Sequence, residues 1–301
     1  MTSGMLFPYV IIKNKLDIGM EIAMSTKHKL IIGSCESMVE ITDKSVHLIV
    51  TSPPYFNAPF DYKAFYKSYD QYLEHMKRVA AEAYRVLDSG RICVINIDDM
   101  LVNGEKFPIV ADVTKIFMTA GFNYRDRIIW KKPDGYLRIS RRSGVLLQNP
   151  YPMYYYPDNL LESLIIFQKE KFDYKAIPRE KREASKIDIK EFTQNKWYMT
   201  LWEMTNVLPN SELEKNIAAF PEELPYRFIK LFSYIGETVL DPFVGSGTTM
   251  KVARELKRNS IGIEINKSLV EVIEKKCGFK GQIIMEHEND TLEIIMRNGD
   301  D

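Results

Sequence analysis

Cysteine is scarce in this chain. Its 301 residues hold three, Cys35, Cys93 and Cys277, scattered and odd in number, with no Cys-x-x-Cys pair. A disulfide framework is excluded, and a reducing cytoplasm is the expected compartment. The four histidines, His28, His47, His75 and His287, do not cluster, so no metal site is expected. Net charge is absent too, since 41 basic and 41 acidic side chains cancel. No apolar run near the start reaches the ~20 residues of a membrane span; the longest, residues 6–12, is interrupted by Pro8. Nothing there has the basic, apolar and small-residue order of a secretory leader, and none is expected.

What is present is the composition of a globular protein, 45% hydrophobic and 27% charged, which excludes a polar low-complexity chain. The length suits one large domain or two small ones. The zero total also hides an uneven distribution. Residues 125–142 carry seven cations, Arg125, Arg127, Lys131, Lys132, Arg138, Arg141 and Arg142, against Asp126 and Asp134. Residues 286–301 carry six acids against Arg297. A local cationic block can meet phosphate whatever the total charge, although two solvated faces would look the same.

Short β-branched runs recur at residues 30–33, 46–50, 91–96, 127–130, 164–168, 239–241, 260–264 and 282–285. Helical stripes separate several of them: Tyr72, Met76, Val79, Ala80, Ala83 and Leu87; Val110, Val113, Ile116, Phe117 and Ala120; Leu224, Phe228, Leu231, Phe232 and Ile235. This alternation predicts a doubly wound α/β fold with a mostly parallel sheet. Residues 132–195, opening with Pro133-Asp134-Gly135 and later highly charged, break the pattern and read as an insertion, with 164–168 returning to the sheet. The division is then an extension (1–27), an α/β body (28–131 and 196–285), the insertion (132–195) and an acidic tail expected to fray (286–301).

Two motifs carry chemistry. In Asp241-Pro242-Phe243-Val244-Gly245-Ser246-Gly247-Thr248-Thr249 a buried strand ends in an acid, then a glycine turn opens a helix. Such a turn lets backbone approach a ligand beside free N–H groups. The next strand ends at Glu264, an acceptor for ribose hydroxyls. Met250 stands where the dinucleotide fingerprint needs a small third residue, which disfavours a nicotinamide cofactor and an oxidoreductase. In Thr51-Ser52-Pro53-Pro54-Tyr55 two prolines stiffen a strand-end loop and remove its donors, leaving carbonyls, a hydroxyl and an aromatic ring. That set suits gripping an amino group and stacking a planar ring; Pro-Pro alone would equally make a rigid turn.

Together, Ser-Pro-Pro-Tyr and Asp-Pro-Phe-x-Gly-Ser-Gly-Thr-Thr resemble the S-adenosylmethionine-dependent DNA amino-methyltransferases, in the β-class order of catalytic loop, recognition insert and cofactor loop. The resemblance covers roughly residues 29–284. It implies a circularly permuted, Rossmann-like methyltransferase sheet with a target-recognition insertion. The implied cofactor is S-adenosylmethionine, held by Ser34, Cys35, Phe220, Pro221, Asp241, Pro242, Phe243, Gly245, Ser246, Gly247, Thr248, Thr249, Glu264, Ile265 and Asn266. Leu30-Ile31-Ile32-Gly33-Ser34-Cys35 resembles the family's segment beside the cofactor adenine, with Ser34 standing where many members carry Asp; Asn216 stands where His is common. Ser52, Pro53, Pro54 and Tyr55 are the implied catalytic loop, and residues 56–68 a loop that folds over the flipped base unless it is ordinary surface. Lys131, Tyr136, Arg138, Arg141 and Arg142, interleaved with Tyr151, Tyr154, Tyr155 and Tyr156, are the expected contacts to double-stranded DNA. Ser at the first loop position usually accompanies cytosine, so the expected product is N4-methylcytosine formed by base flipping. Adenine-N6 transfer and an inactive DNA-binding relative are the alternatives. A cognate restriction endonuclease is the implied partner, no membrane is involved, and a monomer or homodimer is expected.

Overall fold

The structure is a computed structural model that describes residues 25–57, 66–133, 143–155, 157, 160–205, 220–280 and 289–297. In chain order the elements are β1 (Lys27–Ile32), β2 (Val46–Thr51), α1 (Tyr69–Val86), β3 (Leu87–Ile97), the small hairpin β4 (Met100–Val102) and β5 (Glu105–Phe107), α2 (Ile109–Thr119), β6 (Asn123–Lys131), α3 (Ser143–Gln148) and β7 (Leu161–Gln168). They continue with α4 (Arg179–Ala184), α5 (Ile189–Gln194), β8 (Leu201–Glu203), α6 (Glu223–Phe232), β9 (Thr238–Asp241), α7 (Thr248–Glu255), β10 (Asn259–Glu264), α8 (Val270–Lys276) and β11 (Thr291–Met296). Among the described residues no helix is long and apolar enough to cross a membrane.

Among the described residues nine strands form one sheet in the order β11-β1-β10-β9-β2-β3-β7-β6-β8. Neighbours run parallel except where β7 meets β3 and β6. The expected doubly wound, mostly parallel sheet is therefore present. Its central strands are apolar on both faces, and their period of two sorts the core. Ile49, Cys93 and Ile95 pack on the layer that includes α1 and α2, while Leu48, Val50, Ile92 and Val94 pack on Trp130, Trp202, Leu224 and Phe228. The expected stripe on α1 is buried, and Ser68 caps the helix by accepting from Gln71 N at 3.2 Å.

Antiparallel β7 has a positional consequence. Its partners on β3 run from Ile92↔Gln168 to Ile97↔Ser163, so the start of β7 lies at the carboxyl rim of β2 and β3. An acid at the start of β7 thus reaches the rim where ligands bind in open α/β sheets.

Three features depart from the sequence reading. Residues 291–296, expected to fray, form β11 and pair with β1 over its full length. Backbone hydrogen bonds hold an edge strand regardless of acidic side chains, and Lys29 meets Glu293 at 3.4 Å. Residues 169–195, expected within the insertion, pack back on the body near the amino end of β9. There Lys181 meets Glu237 at 3.2 Å, and Glu191 accepts from Tyr226 Oη at 2.7 Å and Lys230 Nζ at 2.6 Å. The three-residue strand β8, too short to show a period, extends the sheet beyond β6. The strand expected at 282–285 lies outside the described residues.

Candidate active site

The glycine turn follows β9 directly. Gly245 (φ +52°) and Gly247 (φ +89°) both adopt left-handed backbone. A Cβ on Gly247 would come 3.1 Å from Ile273 Cγ2 and 3.2 Å from Cys277 Sγ, so both conformation and space demand glycine there. Thr248 then opens α7. The missing third glycine of the motif is supplied from the other element: a Cβ on Gly262, in β10, would meet Met250 Sδ at 2.6 Å and Val244 Cγ2 at 2.9 Å. The helix carries the bulk and the strand carries the gap.

Glu264 ends β10 beneath this turn and is almost fully buried. Its two carboxylate oxygens accept from Gly245 N and Asn266 N, each at 2.9 Å. Burial nevertheless pushes its pKa up to about 7, against the pull of those backbone donors. Ile265 beside it is exposed. Asn266 uses its side chain to cap the following turn, accepting from Ser268 N at 3.0 Å and Ser268 Oγ at 2.7 Å. Ser246 Oγ accepts from Lys276 Nζ at 2.7 Å, and Thr248 is buried. Ser34 and Cys35 are brought beside Glu264 by Gly33 N, which donates to the Glu264 carbonyl at 2.9 Å. Cys35 is buried, and burial pushes its thiol pKa up. Phe220 is buried against Leu224, and the Pro221 carbonyl accepts from Leu224 N at 3.0 Å at the start of α6. Asn216 lies outside the described residues.

Asp241 belongs to both motifs. Thr51 Oγ1 donates to its Oδ1 and Thr249 Oγ1 to its Oδ2, both at 2.6 Å, while Phe243 N donates to Oδ1 at 3.1 Å. The buried carboxylate therefore ties the loop after β2 to the glycine loop after β9, with Pro242 and Phe243 carrying the chain around it. Burial pushes its pKa up to about 6, and the two threonine hydroxyls oppose the shift.

Across this tie lies the second loop, with Pro53 buried and Ser52, Pro54 and Tyr55 half-buried. Ser52 Oγ accepts from Asn96 Nδ2 at 3.3 Å, and the same nitrogen donates to Glu162 Oε2 at 2.7 Å. Tyr55 Oη donates to Glu162 Oε2 at 2.8 Å, and Lys132 Nζ pairs with Glu162 Oε1. The Tyr55 hydroxyl pKa is raised, by burial first and by the Glu162 charge next. Asn96 Oδ1 is buried and has no hydrogen-bond partner among the described residues. Asp98, at the same rim, is pushed up to about 6, mainly by burial with Glu162 adding to it.

Thr51, Asn96, Lys132 and Glu162 carry no site role in the sequence reading, although Thr51 opens the second motif and Lys132 belongs to the cationic block. Asn96 did carry a signal, as a polar residue closing a buried apolar run at a strand's carboxyl end. The loop residues Phe56 and Tyr66 are core, not cover: Phe56 packs on Tyr69 and Phe107, and Asn57 bonds Tyr66 through both backbone groups. Residues 58–65 lie outside the described residues.

On the expected DNA side, Lys131 Nζ meets Glu203 Oε1 at 3.3 Å. Tyr136, Arg138, Arg141, Arg142 and Tyr156 lie outside the described residues, and Tyr151, Tyr154 and Tyr155 are exposed. The base of this segment is closed by Lys132 N donating to Leu160 O at 2.9 Å, directly beside Glu162. Whatever the segment contacts, it springs from the rim that holds Ser52 and Tyr55.

Comparison with known proteins agrees with this geometry. A DNA methylase family of N6/N4 type matches residues 46–275. The Type II methyltransferase M.MjaI of Methanocaldococcus jannaschii is 37% identical over 87% of this chain and 94% of its own length. M.MthZI of Methanothermobacter thermautotrophicus is 31% identical over 92% of this chain and 85% of its own. A Thermus thermophilus chain solved in complex with S-adenosyl-L-methionine superposes with a TM-score of 0.68 at 27% identity, covering 89% of this chain and 99% of that one. The cytosine-N4-specific PvuII DNA methyltransferase shares the fold, with a TM-score of 0.64 at 19% identity over 89% of this chain and 92% of that one.

Proposed function

Because the chain belongs to the N6/N4 DNA methylase family and uses S-adenosylmethionine, we propose that it methylates the exocyclic N4 amine of cytosine in duplex DNA. The observation that carries the reading is Ser52, a neutral hydroxyl at the strand end, tied through Thr51, Asp241 and Thr249 to the cofactor loop.

The site's donors and acceptors fit the cofactor. Glu264 is a buried acceptor at a strand end, suited to vicinal ribose hydroxyls, and exposed Ile265 offers an apolar face to a purine. The left-handed glycines let backbone approach the ligand. Ser34, Cys35, Phe220, Pro221 and Phe243 line the remaining edges in this reading, while Asp241, Ser246 and Asn266 shape the loops from within. When bound, S-adenosylmethionine supplies an electrophilic methyl group.

The protein's task is to make a poor nucleophile competent. An exocyclic amine delocalises its lone pair into the ring. Ser52 Oγ and the Pro53 carbonyl each accept a hydrogen bond from the amine, which draws the nitrogen toward sp³ geometry and frees the lone pair; once the nitrogen carries the methyl group, one of its protons is lost to water. Asn96 Nδ2 occupies one lone pair of Ser52 Oγ, so the other faces the base. Tyr55, pinned by Glu162 and stiffened by the two prolines, offers its ring face to the flipped base. Alignment of amine and methyl donor supplies most of the acceleration. A neutral acceptor suits the small polar edge of cytosine; an Asp at this place would add charge and a second oxygen. The segment around Arg138, Arg141, Arg142 and Tyr136, with Lys131 at its base, grips the duplex. We place the enzyme in the cytoplasm, as a monomer or homodimer beside a restriction endonuclease of the same site, a role in keeping with its Type II relatives.

Duplex DNA treated with the enzyme, digested to nucleosides and resolved by mass and retention, is expected to contain N4-methylcytosine. N6-methyladenine in its place overturns the base assignment and leaves the fold and cofactor standing. Ser52→Ala is expected to cut turnover by about ten- to a thousandfold, the scale of one lost transition-state hydrogen bond, with cofactor affinity unchanged.

A further inference from the structure

Residues 34–40 leave β1 with no helix or strand of their own, yet the segment is wedged against the cofactor loops. On one side Gly33 N is bonded to the carbonyl of Glu264. On the other, Glu36 accepts from His75 Nδ1 at 2.8 Å, and the His75 ring lies 6.0 Å from that of Phe243 in the glycine turn. Irregular backbone in such a place needs outside partners to hold one shape.

Two guanidinium groups supply them. Arg85, from α1, donates to the carbonyls of Met38 at 2.8 Å and Ile41 at 3.0 Å, while Glu82 accepts from Met38 N at 2.6 Å. Arg297 comes from the opposite side, one residue past β11. It donates to the carbonyls of Ser34 at 2.5 Å and Ser37 at 2.7 Å, and pairs with both oxygens of Glu40 at 2.9 and 2.6 Å. Its own backbone N donates to the Ile32 carbonyl at 3.1 Å, where β1 ends. One planar fork thus fixes three points of a seven-residue segment, a geometry lysine cannot reproduce. The pairing of β11 with β1 is what delivers the fork to this spot.

We propose that Arg297 is a positioning residue for the cofactor site: from the C-terminal edge strand it clamps residues 34–40 into the shape that receives the adenine end of S-adenosylmethionine. The proposal rests on the assignment of Ser34 and Cys35 to that end of the cofactor. Arg297 touches no reacting atom, so its effect falls on cofactor affinity and not on the chemical step.

The test is steady-state kinetics with S-adenosylmethionine and duplex DNA, together with calorimetry of the cofactor alone. Arg297→Gln is expected to raise KM and Kd for S-adenosylmethionine by about ten- to a hundredfold, the range of lost charge-assisted hydrogen bonds. At saturating cofactor, kcat should stay near wild type. Arg297→Lys should recover part of the loss, and Glu40→Gln, which spares both carbonyl contacts, should raise KM by a smaller factor. These two variants carry the test should Arg297→Gln fail to fold. Wild-type affinity in both Arg297→Gln and Glu40→Gln, or in Arg297→Lys and Glu40→Gln if the former does not fold, overturns the clamp. Hydrogen exchange separates this failure from that of the underlying assignment. If S-adenosylmethionine does not protect residues 33–41 of the wild type, the segment is not at the cofactor's edge and both ideas fall; protection with unaltered mutant affinity removes the clamp alone.

Discussion

Glu264 is an acid that the fold holds near the midpoint of its titration at neutral pH. Burial raises its pKa to about 7, and Gly245 N and Asn266 N only partly offset the cost of its charge. Ribose hydroxyls donating to the carboxylate favour its ionised form, as does a nearby sulfonium. Cofactor binding should therefore lower this pKa and release a proton. The sign follows: above pH 7 the carboxylate is already ionised and affinity is flat. Below pH 7 binding must first remove a proton, so affinity falls by up to about tenfold per pH unit. Calorimetry of S-adenosylmethionine between pH 5 and 8.5, in buffers of different ionisation enthalpy, reads both affinity and proton release. Glu264→Gln should bind more weakly at pH 8 and lose the dependence. A wild-type profile that is level from pH 5 to 8.5 removes Glu264 as the ribose acceptor.

At the scale of elements, the crossing of α7 over β10 shows both what sequence reveals and what it hides. Met250 in the third fingerprint position correctly signals that a nicotinamide cofactor is disfavoured. It does not reveal that Gly262, on the next strand, opens the space the methionine fills. Gly262→Ala is expected to destabilise the fold by about 1–3 kcal/mol through overpacking. Combining it with Met250→Ala should cost less than the two single changes summed, with a coupling of about 0.5–3 kcal/mol. Denaturant titration of the four proteins measures it, and strict additivity means the contact is not what requires glycine. The same division runs through the rest of the chain. Strands buried on both faces, such as β2, β3 and β9, announce themselves as apolar runs, and α1 by its stripe. β11 does not, because a mostly exposed six-residue edge strand owes its place to backbone pairing with a segment over 250 residues away. The stiff loop after β2, proposed to be catalytic, was legible as Ser-Pro-Pro-Tyr. Asn96, Lys132 and Glu162 were not, because their convergence on Ser52 and Tyr55 depends on β7 running antiparallel beside β3.

For the molecule as a whole, a formal charge of zero conceals how cations are placed around the sheet. The described cations of the 125–142 block are contiguous in sequence but divided in space. Arg125 lies near the amino end of β6, 5.3 Å from the Phe232 ring and bonded to Gln168 at 3.3 Å, on the rim opposite Ser52. Lys131 and Lys132, at the carboxyl end, are engaged with Glu203 and Glu162. Arg138, Arg141 and Arg142 follow in sequence, and the Lys132–Leu160 bond closes the base of their segment at the rim that holds Ser52 and Tyr55. If that rim receives the duplex, Arg125 lies on the wrong side of the sheet to meet phosphates, and we propose that Arg141 and Arg142 meet them. Each phosphate contact releases counterions and contributes about −0.9 to the slope of log K against log salt. Replacing Arg141 and Arg142 together with Ala should therefore weaken duplex binding and flatten that slope by about two, while leaving S-adenosylmethionine affinity unchanged. Arg125→Ala should leave the slope as it is. Fluorescence anisotropy with a labelled duplex across a salt series measures both. A slope unmoved by the double change means these arginines do not touch phosphate. An equal flattening from Arg125→Ala would put the duplex across the opposite rim, away from Ser52, which base flipping into this site does not allow.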